Sequence, residues 1–390
     1  MRIAVFTNTY LPILNGVANV IEAYRKSLAA RGHEVFVFAP GPPEPALDAQ
    51  CNVLRFPSVG VPIQIDYHLA MPFSLPIMRA LHQIDFDIVH THHPIWVGVW
   101  GKWYAQWAGL PLVTTIHTEY QIYSDLVPLP GTMVEDFLSR RIVKYCNKCD
   151  VVTTPVESMR AKLTSAAVNT PIELLPNPAD LSAFDGADGR AVRTRIGAGD
   201  SDVVLGYIGR LSAEKNLPFV LHAVKIVMAR HPYCRLLMVG DGLTRRELEQ
   251  LTEELGINDR TYFAGEVPYA QIPDYQAAID IFLTASMSET QPLAYTEAMA
   301  VGTPVVAVKA PGSTDMIEHL HNGMLTDLGE GPQGLADAAC MLIEDRRLRA
   351  DMGQRARQWA QRYDVANATD TLMTIYDRAI ARAAAAGHRE

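Results

Sequence analysis

The sequence predicts an α/β fold made of two parallel-sheet domains, and three observations predict it. Apolar, strand-like runs alternate with helical patterns from end to end, the arrangement in which parallel strands are joined by crossover helices. The stretch from Pro176 to Gly189 is rich in Pro, Asn, Asp and Gly, has the composition of a linker, and divides the chain into halves of similar size. At 390 residues, each half is long enough to bury a core of its own. The predicted domains are residues 1–180 and 181–364, and a final helix within 365–390 is expected to pack back on the first.

The elements follow in order. Arg2-Ile3-Ala4-Val5-Phe6 opens a strand over 2–7. A loop to Gly16 leads into a helix that runs to about Arg31, and a second strand over 34–39 carries Val35, Phe36, Val37 and Phe38. Further strands are predicted at 52–56, 86–91, 111–116, 150–154 and 171–175, then at 203–208, 234–239, 260–264, 280–285, 304–308 and 323–326. Most are continuous apolar runs rather than alternating ones, as strands buried on both faces should be. The stretch Val61 to Phe73 contains Pro62 and Pro72 and reads as a long loop.

Composition narrows the function. Apolar residues make up 48% and charged residues 20%, the make-up of an ordinary globular protein. No apolar run approaches the roughly eighteen residues of a spanning helix. A strand at the N-terminus, without a leader pattern, makes the cytoplasm the expected location, with the inner face of the cell membrane as a working site. The net charge of −9 disfavours nucleic acid as a partner. Five cysteines, an odd number, point to reduced thiols. Cys146 and Cys149 form a lone C-x-x-C without the second pair that a zinc site needs, so they are expected to be packed thiols. Against the acidic whole, Arg140, Arg141, Lys144 and Lys148 fall on one helical side, either a solvated face or a contact for an anionic surface.

The loops at the predicted strand ends carry the chemistry. Gly16, at a helix entry, would let backbone approach a phosphate. Neither that loop nor Gly240-Asp241-Gly242 has the spacing of a dinucleotide fingerprint, which disfavours a dehydrogenase. Arg210 and Lys215 follow one strand end and can clamp a diphosphate, or decorate an exposed loop. His117 closes the 111–116 strand, while His90, His92 and His93 cluster near the end of the 86–91 strand without carboxylates at ligand spacing. Trp96, Trp100, Trp103 and Trp107 share one helical face, which either looks into the core, lines an apolar acceptor, or anchors at a membrane interface. The segment Ser288-Glu289-Thr290-Gln291-Pro292-Leu293 passes from a loop into a helix that carries Glu297. Its free backbone N–H groups would suit a diphosphate and its two acids sugar hydroxyls, unless it is one more helix with solvated glutamates.

Taken together, these loops resemble glycosyltransferase family 4, retaining nucleotide-sugar transferases with two facing Rossmann-like domains (the GT-B fold). The resemblance rests on Asn15-Gly16, His90-Thr91-His92, His117-Thr118, Gly209-Arg210-Leu211 with Lys215, Val239-Gly240-Asp241-Gly242, Phe263-Ala264-Gly265 and the Glu289-to-Glu297 pair, in that order. It implies a cleft between the domains, a nucleotide diphosphate sugar (UDP-linked) as donor, and no required cofactor or metal. By resemblance Arg210 and Lys215 hold the diphosphate and assist catalysis, and Glu297 takes the ribose hydroxyls. Glu289 and the backbone of Thr290, Gln291, Pro292 and Leu293 meet the hexose. The loop carrying Val267 flanks the base, Gly240 and Asp241 lie on the donor side, Gly16 gives the phosphates room, and His117 lies near the reacting carbon. Within the family the chain looks most like diacylglycerol glucosyltransferases and related lipid enzymes, through Thr7-x-Thr9-Tyr10-x-Pro12-x-x-Asn15-Gly16, His117-Thr118-x-Tyr120-x-x-Tyr123 and Cys146-Asn147-x-Cys149-Asp150. That likeness tilts the acceptor toward a membrane glycerolipid and makes Tyr10, Asn15, Trp96, Tyr120 and Tyr123 acceptor-side candidates. Family members carry Gly where this chain has Pro292, and often where it has Pro178. Pro292 has no N–H to offer a donor sugar, though it suits the first position of a helix.

Overall fold

A computed structural model of the chain describes residues 1–13, 15–63, 65–71, 74–117, 131–287, 289–385 and 387. It forms two compact units, Met1–Pro178 with Val365–Glu390, and Ala179–Asp364.

The first unit contains β1 (Arg2–Phe6), β2 (Glu34–Pro40), β3 (Val53–Phe56), β4 (Ser58–Ile63), β5 (Ile65–Ala70), β6 (Ile88–Thr91), β7 (Leu112–Thr115), β8 (Val151–Thr154) and β9 (Ile172–Leu174). Seven of them form a parallel sheet in the order β3-β2-β1-β6-β7-β8-β9. The alternation of side chains along β1 explains why it has no polar position between Ile3 and Phe6. Ile3 and Val5 join a core with Ile21, Leu28, Leu372 and Ile375, whereas Ala4 and Phe6 join another with Phe38, Tyr104 and Ile142. The helix Val365–Ala385 belongs to this unit. Thr369 Oγ1 donates to Ser27 Oγ at 2.9 Å, Arg31 pairs with Asp370 at 2.6 Å, and the Tyr376 hydroxyl meets His90 Nδ1 at 2.8 Å.

The stretch expected as a long loop is instead largely an antiparallel hairpin, β4 with β5, running from Ser58↔Ala70 to Ile63↔Ile65. Pro62 argued against a strand, yet a two-stranded ribbon has only edges, where a missing N–H costs little.

The second unit contains β10 (Val203–Ile208), β11 (Cys234–Val239), β12 (Thr261–Gly265), β13 (Ile281–Thr284), β14 (Val305–Val308) and β15 (Gly323–Thr326), all parallel, in the order β12-β11-β10-β13-β14-β15. The chain winds outward from β10 to β12, then returns to its other side at β13. At such a reversal the loops leaving the two central strands diverge and open a crevice beyond their carboxyl ends. The order makes β10 and β13 the strands whose following loops should bind a ligand. They are followed by Gly209-Arg210 and by the segment leading to Glu289.

Candidate active site

The two loops at the reversal in the second unit meet. Lys215 ends a short 3-10 turn, Ala213–Lys215, and its Nζ donates to Glu289 Oε1 at 2.5 Å. Glu289 comes from the loop after β13, so the pair ties together the two sides of the crevice. Arg210 is exposed on the same loop as Lys215, and its guanidinium forms no ion pair with a described residue. Beside them Ser212 Oγ donates to Glu214 Oε1 at 2.6 Å. Burial pushes the Glu214 carboxyl up, but that hydrogen bond together with Lys215 and Arg210 draws it below its ordinary value.

Gly240 and Gly242 allow the loop after β11 to lie against the loop after β10. A Cβ on Gly240, at φ +124, would stand 2.0 Å from the Gly209 carbonyl oxygen, and one on Gly242 would stand 2.1 Å from that of Leu211. Leu211 N–H donates to Asp241 O at 2.9 Å across the same seam. The side chain of Asp241 is taken up locally, by Gly242 N–H at 2.7 Å and Arg245 at 2.8 Å. These residues build the platform that carries Arg210.

Glu297 lies on the helix Leu293–Ala300 and is only 6% exposed. Burial raises its carboxyl to about 7, partly offset by hydrogen bonds from Tyr269 and Gln276. The Tyr269 hydroxyl donates to Glu297 Oε1 at 3.2 Å. Since Tyr269 follows Val267 by two residues, the loop after β12 that carries Val267 is drawn toward Glu297. Sequence reasoning missed Tyr269, whose only signal is its place in that loop. It also missed Gly312, at φ +81, where a Cβ would stand 2.6 Å from Glu289 O, so the loop after β14 supports the Glu289-Thr290 backbone from behind.

Pro292 is the residue before the helix, not its first residue. The N–H groups of Leu293 and Ala294 therefore open the helix without intrahelical acceptors. Gln291 is buried, and Thr290 is partly buried. Ser288 lies outside the described residues, as do Thr118, Tyr120 and Tyr123.

In the first unit His117 follows β7 and packs with the neighbouring histidines. The His92 and His117 rings stack at 5.1 Å, and His92 Nδ1 meets His117 Nε2 at 2.8 Å. The Asn177 side chain holds His117 as well, but burial outweighs it and lowers the ring to about 4. Burial likewise brings His90 and His93 to about 3. All three are neutral near pH 7. The rings of His90, His92 and His117 stack in series, and among the described residues no group of three His, Cys, Asp or Glu side chains could hold a metal ion. The five cysteines are buried and form no disulfide, and burial pushes Cys146 up to about 12.

Two acceptor-side expectations change. Tyr10 is buried, with its hydroxyl donating to Glu22 Oε2 at 2.5 Å, and so belongs to the core. Asn15 caps the helix Gly16–Ala30: its Oδ1 accepts from Ala18 N–H at 2.9 Å, and its Nδ2 donates to Thr9 Oγ1 at 2.7 Å. Both ends of that amide are occupied. Gly16 has open space around it, because a Cβ there would meet nothing within 4 Å. The tryptophan stripe does not look into the core. Only Trp100 packs against it, while Trp96, Trp103 and Trp107 are 52%, 45% and 60% exposed.

Comparison with known proteins agrees with this geometry. Residues 14–183 match the family described as Glycosyltransferase Family 4, and residues 190–359 match Glycosyl transferases group 1. An alpha-monoglucosyldiacylglycerol synthase of Streptococcus pneumoniae is 29% identical over 331 residues, 83% of this chain and 75% of that protein. A GDP-mannose-dependent alpha-mannosyltransferase of Mycobacterium tuberculosis is 26% identical over 367 residues, 92% of this chain and 93% of that one. The crystal structure of Anabaena Alr3699/HepE in complex with UDP superposes with a TM-score of 0.78 at 24% identity, covering 97% of this chain and 100% of that one. With both units matched and the two parallel sheets shared, the chain belongs to the family 4 glycosyltransferases of the GT-B fold.

Proposed function

We propose that the protein transfers a hexose, with retention, from a UDP-linked sugar to a membrane glycerolipid hydroxyl such as that of diacylglycerol. The observation that carries this reading is the Lys215–Glu289 pair, with Arg210 beside it, at the carboxyl ends of β10 and β13. In this reading the donor lies along the second unit. The diphosphate meets Arg210, Lys215 and the N–H groups of Leu293 and Ala294, the ribose hydroxyls meet Glu297, and the base lies by Val267. As the C1–O bond breaks, its electron pair leaves with the diphosphate, where the two cations and the helix start stabilise the growing charge. The acceptor hydroxyl attacks from the same face, and its proton passes to the departing phosphate oxygen. His117, neutral and held by His92 and Asn177, is not an imidazolium general acid at pH 7, so its part is to orient. The protein cations neutralise the leaving group without a metal.

Support for the acceptor comes from the motifs that resemble those of lipid enzymes and from the Streptococcus relative, an alpha-monoglucosyldiacylglycerol synthase. A second donor, GDP-mannose, is favoured by the longer match to the Mycobacterium relative. A panel of nucleotide sugars read by thermal shift separates the donors, because a ligand that binds the native state raises its stability. Incubating the chosen donor with dispersed diacylglycerol, and separately with free sugars and polyols, then gives the product by mass and its anomeric configuration by NMR. An α-linked glucolipid is expected. Isomerised donor, or transfer to a soluble acceptor alone, would overturn the reading.

A further inference from the structure

The first unit carries an apolar surface that the donor chemistry does not use. The helices Leu75–Gln83 and Val97–Ala108 flank a groove of about 410 Å³ whose lining includes Leu75, Met78, Arg79, His82, Trp103 and Trp107. Leu75 is 75% exposed at the start of its helix, and the indoles of Trp103 and Trp107 stack at 6.5 Å on the surface. Tryptophan costs much to leave in water, and a cluster of exposed indoles with aliphatic neighbours marks a contact site.

The charge beside the groove indicates what makes that contact. Lys102 precedes Trp103, lies 5.0 Å from the centre of the Tyr145 ring, and has its ammonium destabilised first by burial and then by Arg141, Lys144 and Lys148. Arg140, Arg141, Lys144 and Lys148 are all exposed. Phe137 is exposed as well, with Arg141 over its ring. A chain of net charge −9 thus gathers Arg141, Lys144 and Lys148 around Lys102, the residue that adjoins the exposed Trp103. Indoles sit at the headgroup level of a bilayer, and cations beside them draw anionic lipid. No described helix is long and apolar enough to cross a membrane, so contact would be peripheral.

We infer that this face docks the protein on an anionic lipid bilayer, with Leu75, Met78, Trp103 and Trp107 entering the interface and the Lys102–Lys148 cluster resting on the headgroups. The inference rests on the reading that the acceptor is a membrane lipid. Its test is sedimentation of the full chain with phosphatidylcholine vesicles, with and without one-third phosphatidylglycerol, together with quenching of tryptophan fluorescence by brominated lipid. Binding should appear with phosphatidylglycerol, fall at least tenfold between low and high salt, and be accompanied by quenching. The Trp103→Ala/Trp107→Ala variant should lose at least tenfold in partitioning while keeping its rate on detergent-dispersed acceptor. Arg140→Ser/Arg141→Ser/Lys144→Ser changes only exposed side chains and should lose the preference for anionic vesicles. Failure of the unaltered protein to bind, absence of quenching, or wild-type binding by both variants would overturn the inference. Lipid glycosylation in detergent without vesicle binding would sink the docking face alone. Vesicle binding by a protein that glycosylates only soluble acceptors would sink the acceptor reading alone.

Discussion

Glu297 should make donor affinity depend on pH in a range where ordinary glutamates are silent. Burial holds its carboxyl at about 7 in the ligand-free protein, against an ordinary value of 4.5. From that value it is ionised in roughly one molecule in ten at pH 6 and in about nine of ten at pH 8. Ribose hydroxyls donate hydrogen bonds, and they bind the ionised form better than the protonated one. Only the ionised fraction is then competent, so the apparent Kd should be about tenfold weaker at pH 6 than at pH 8. The assay is titration calorimetry with intact UDP-glucose. Each of its phosphates is substituted on both sides, by one ester and by the shared anhydride oxygen, and lacks the second ionisation near pH 6 that free UDP would bring. Buffers of different ionisation enthalpy should also reveal release of about half a proton on binding at pH 7. Glu297→Gln should bind more weakly and with no slope. A flat wild-type profile between pH 6 and 8, or the same slope in the variant, would refute the assignment of Glu297 to the donor.

The same group predicts the opposite trend for stability of the free protein. A carboxyl raised on folding contributes stability that is complete below its unfolded value of 4.5 and is lost as pH rises through about 7. The loss across that window is about 3 kcal/mol, and Glu297→Gln should remove it, which denaturant titrations at pH 4.5 and pH 8 would measure. A donor that engages the ionised carboxylate would offset this loss, so the stabilisation by UDP-glucose should be larger at pH 8.

Further outcomes are expected elsewhere in the second unit. Lys215→Ala and Glu289→Ala should each lower kcat by about a hundredfold or more in steady-state assays, since both touch the donor in this reading; wild-type rates in both would remove the site from the crevice. Gly240→Ala places a Cβ 2.0 Å from a backbone oxygen and should cost more than about 2 kcal/mol, seen as a Tm lowered by roughly 5 °C or more. Gly256→Ala, with positive φ but open space, should cost only about 1 kcal/mol. Pro292→Gly supplies a backbone N–H before the helix and should shift the relative kcat/KM of competing hexoses by about fivefold, the worth of one neutral hydrogen bond.

Strands buried on both faces were plain in the sequence because burial leaves an unbroken apolar run, as in β1, β10 and β13, and the edge strands β3 and β9 were found at the predicted ranges although Arg55 and Glu173 interrupt them. Their ends moved by a residue or two where, as at Thr7 and Ala285, a run continues into the loop. The hairpin of β4 and β5 was hidden because Pro62 reads as a breaker when the partner strand is unknown. The loops of the crevice were legible as motifs. Their contacts were not, since Lys215 and Glu289 lie 74 residues apart and meet only through the sheet order.

The tryptophan stripe and the two glutamates show the same boundary of what a pattern can say. A period of 3.6 puts Trp100, Trp103 and Trp107 on one face of the helix Val97–Ala108, with Trp96 just before its start at φ 52, but only the packing of neighbouring helices decides whether that face is covered. Here helix Leu75–Gln83 borders a groove rather than closing it. Glu289 and Glu297 are the same residue eight positions apart. One is tied to a lysine at the mouth of a crevice, and the other is buried beneath a tyrosine and raised by burial to about 7. Their chemistry diverges because the chain turns into a helix between them, at Pro292. That turn sets the depth of each carboxylate, so a substitution at Pro292 that moves the helix start should alter the pH dependence assigned to Glu297 as well as the choice of hexose. A Pro292→Gly variant with changed hexose preference and an unmoved pH profile would separate the two and confine the role of Pro292 to its missing N–H.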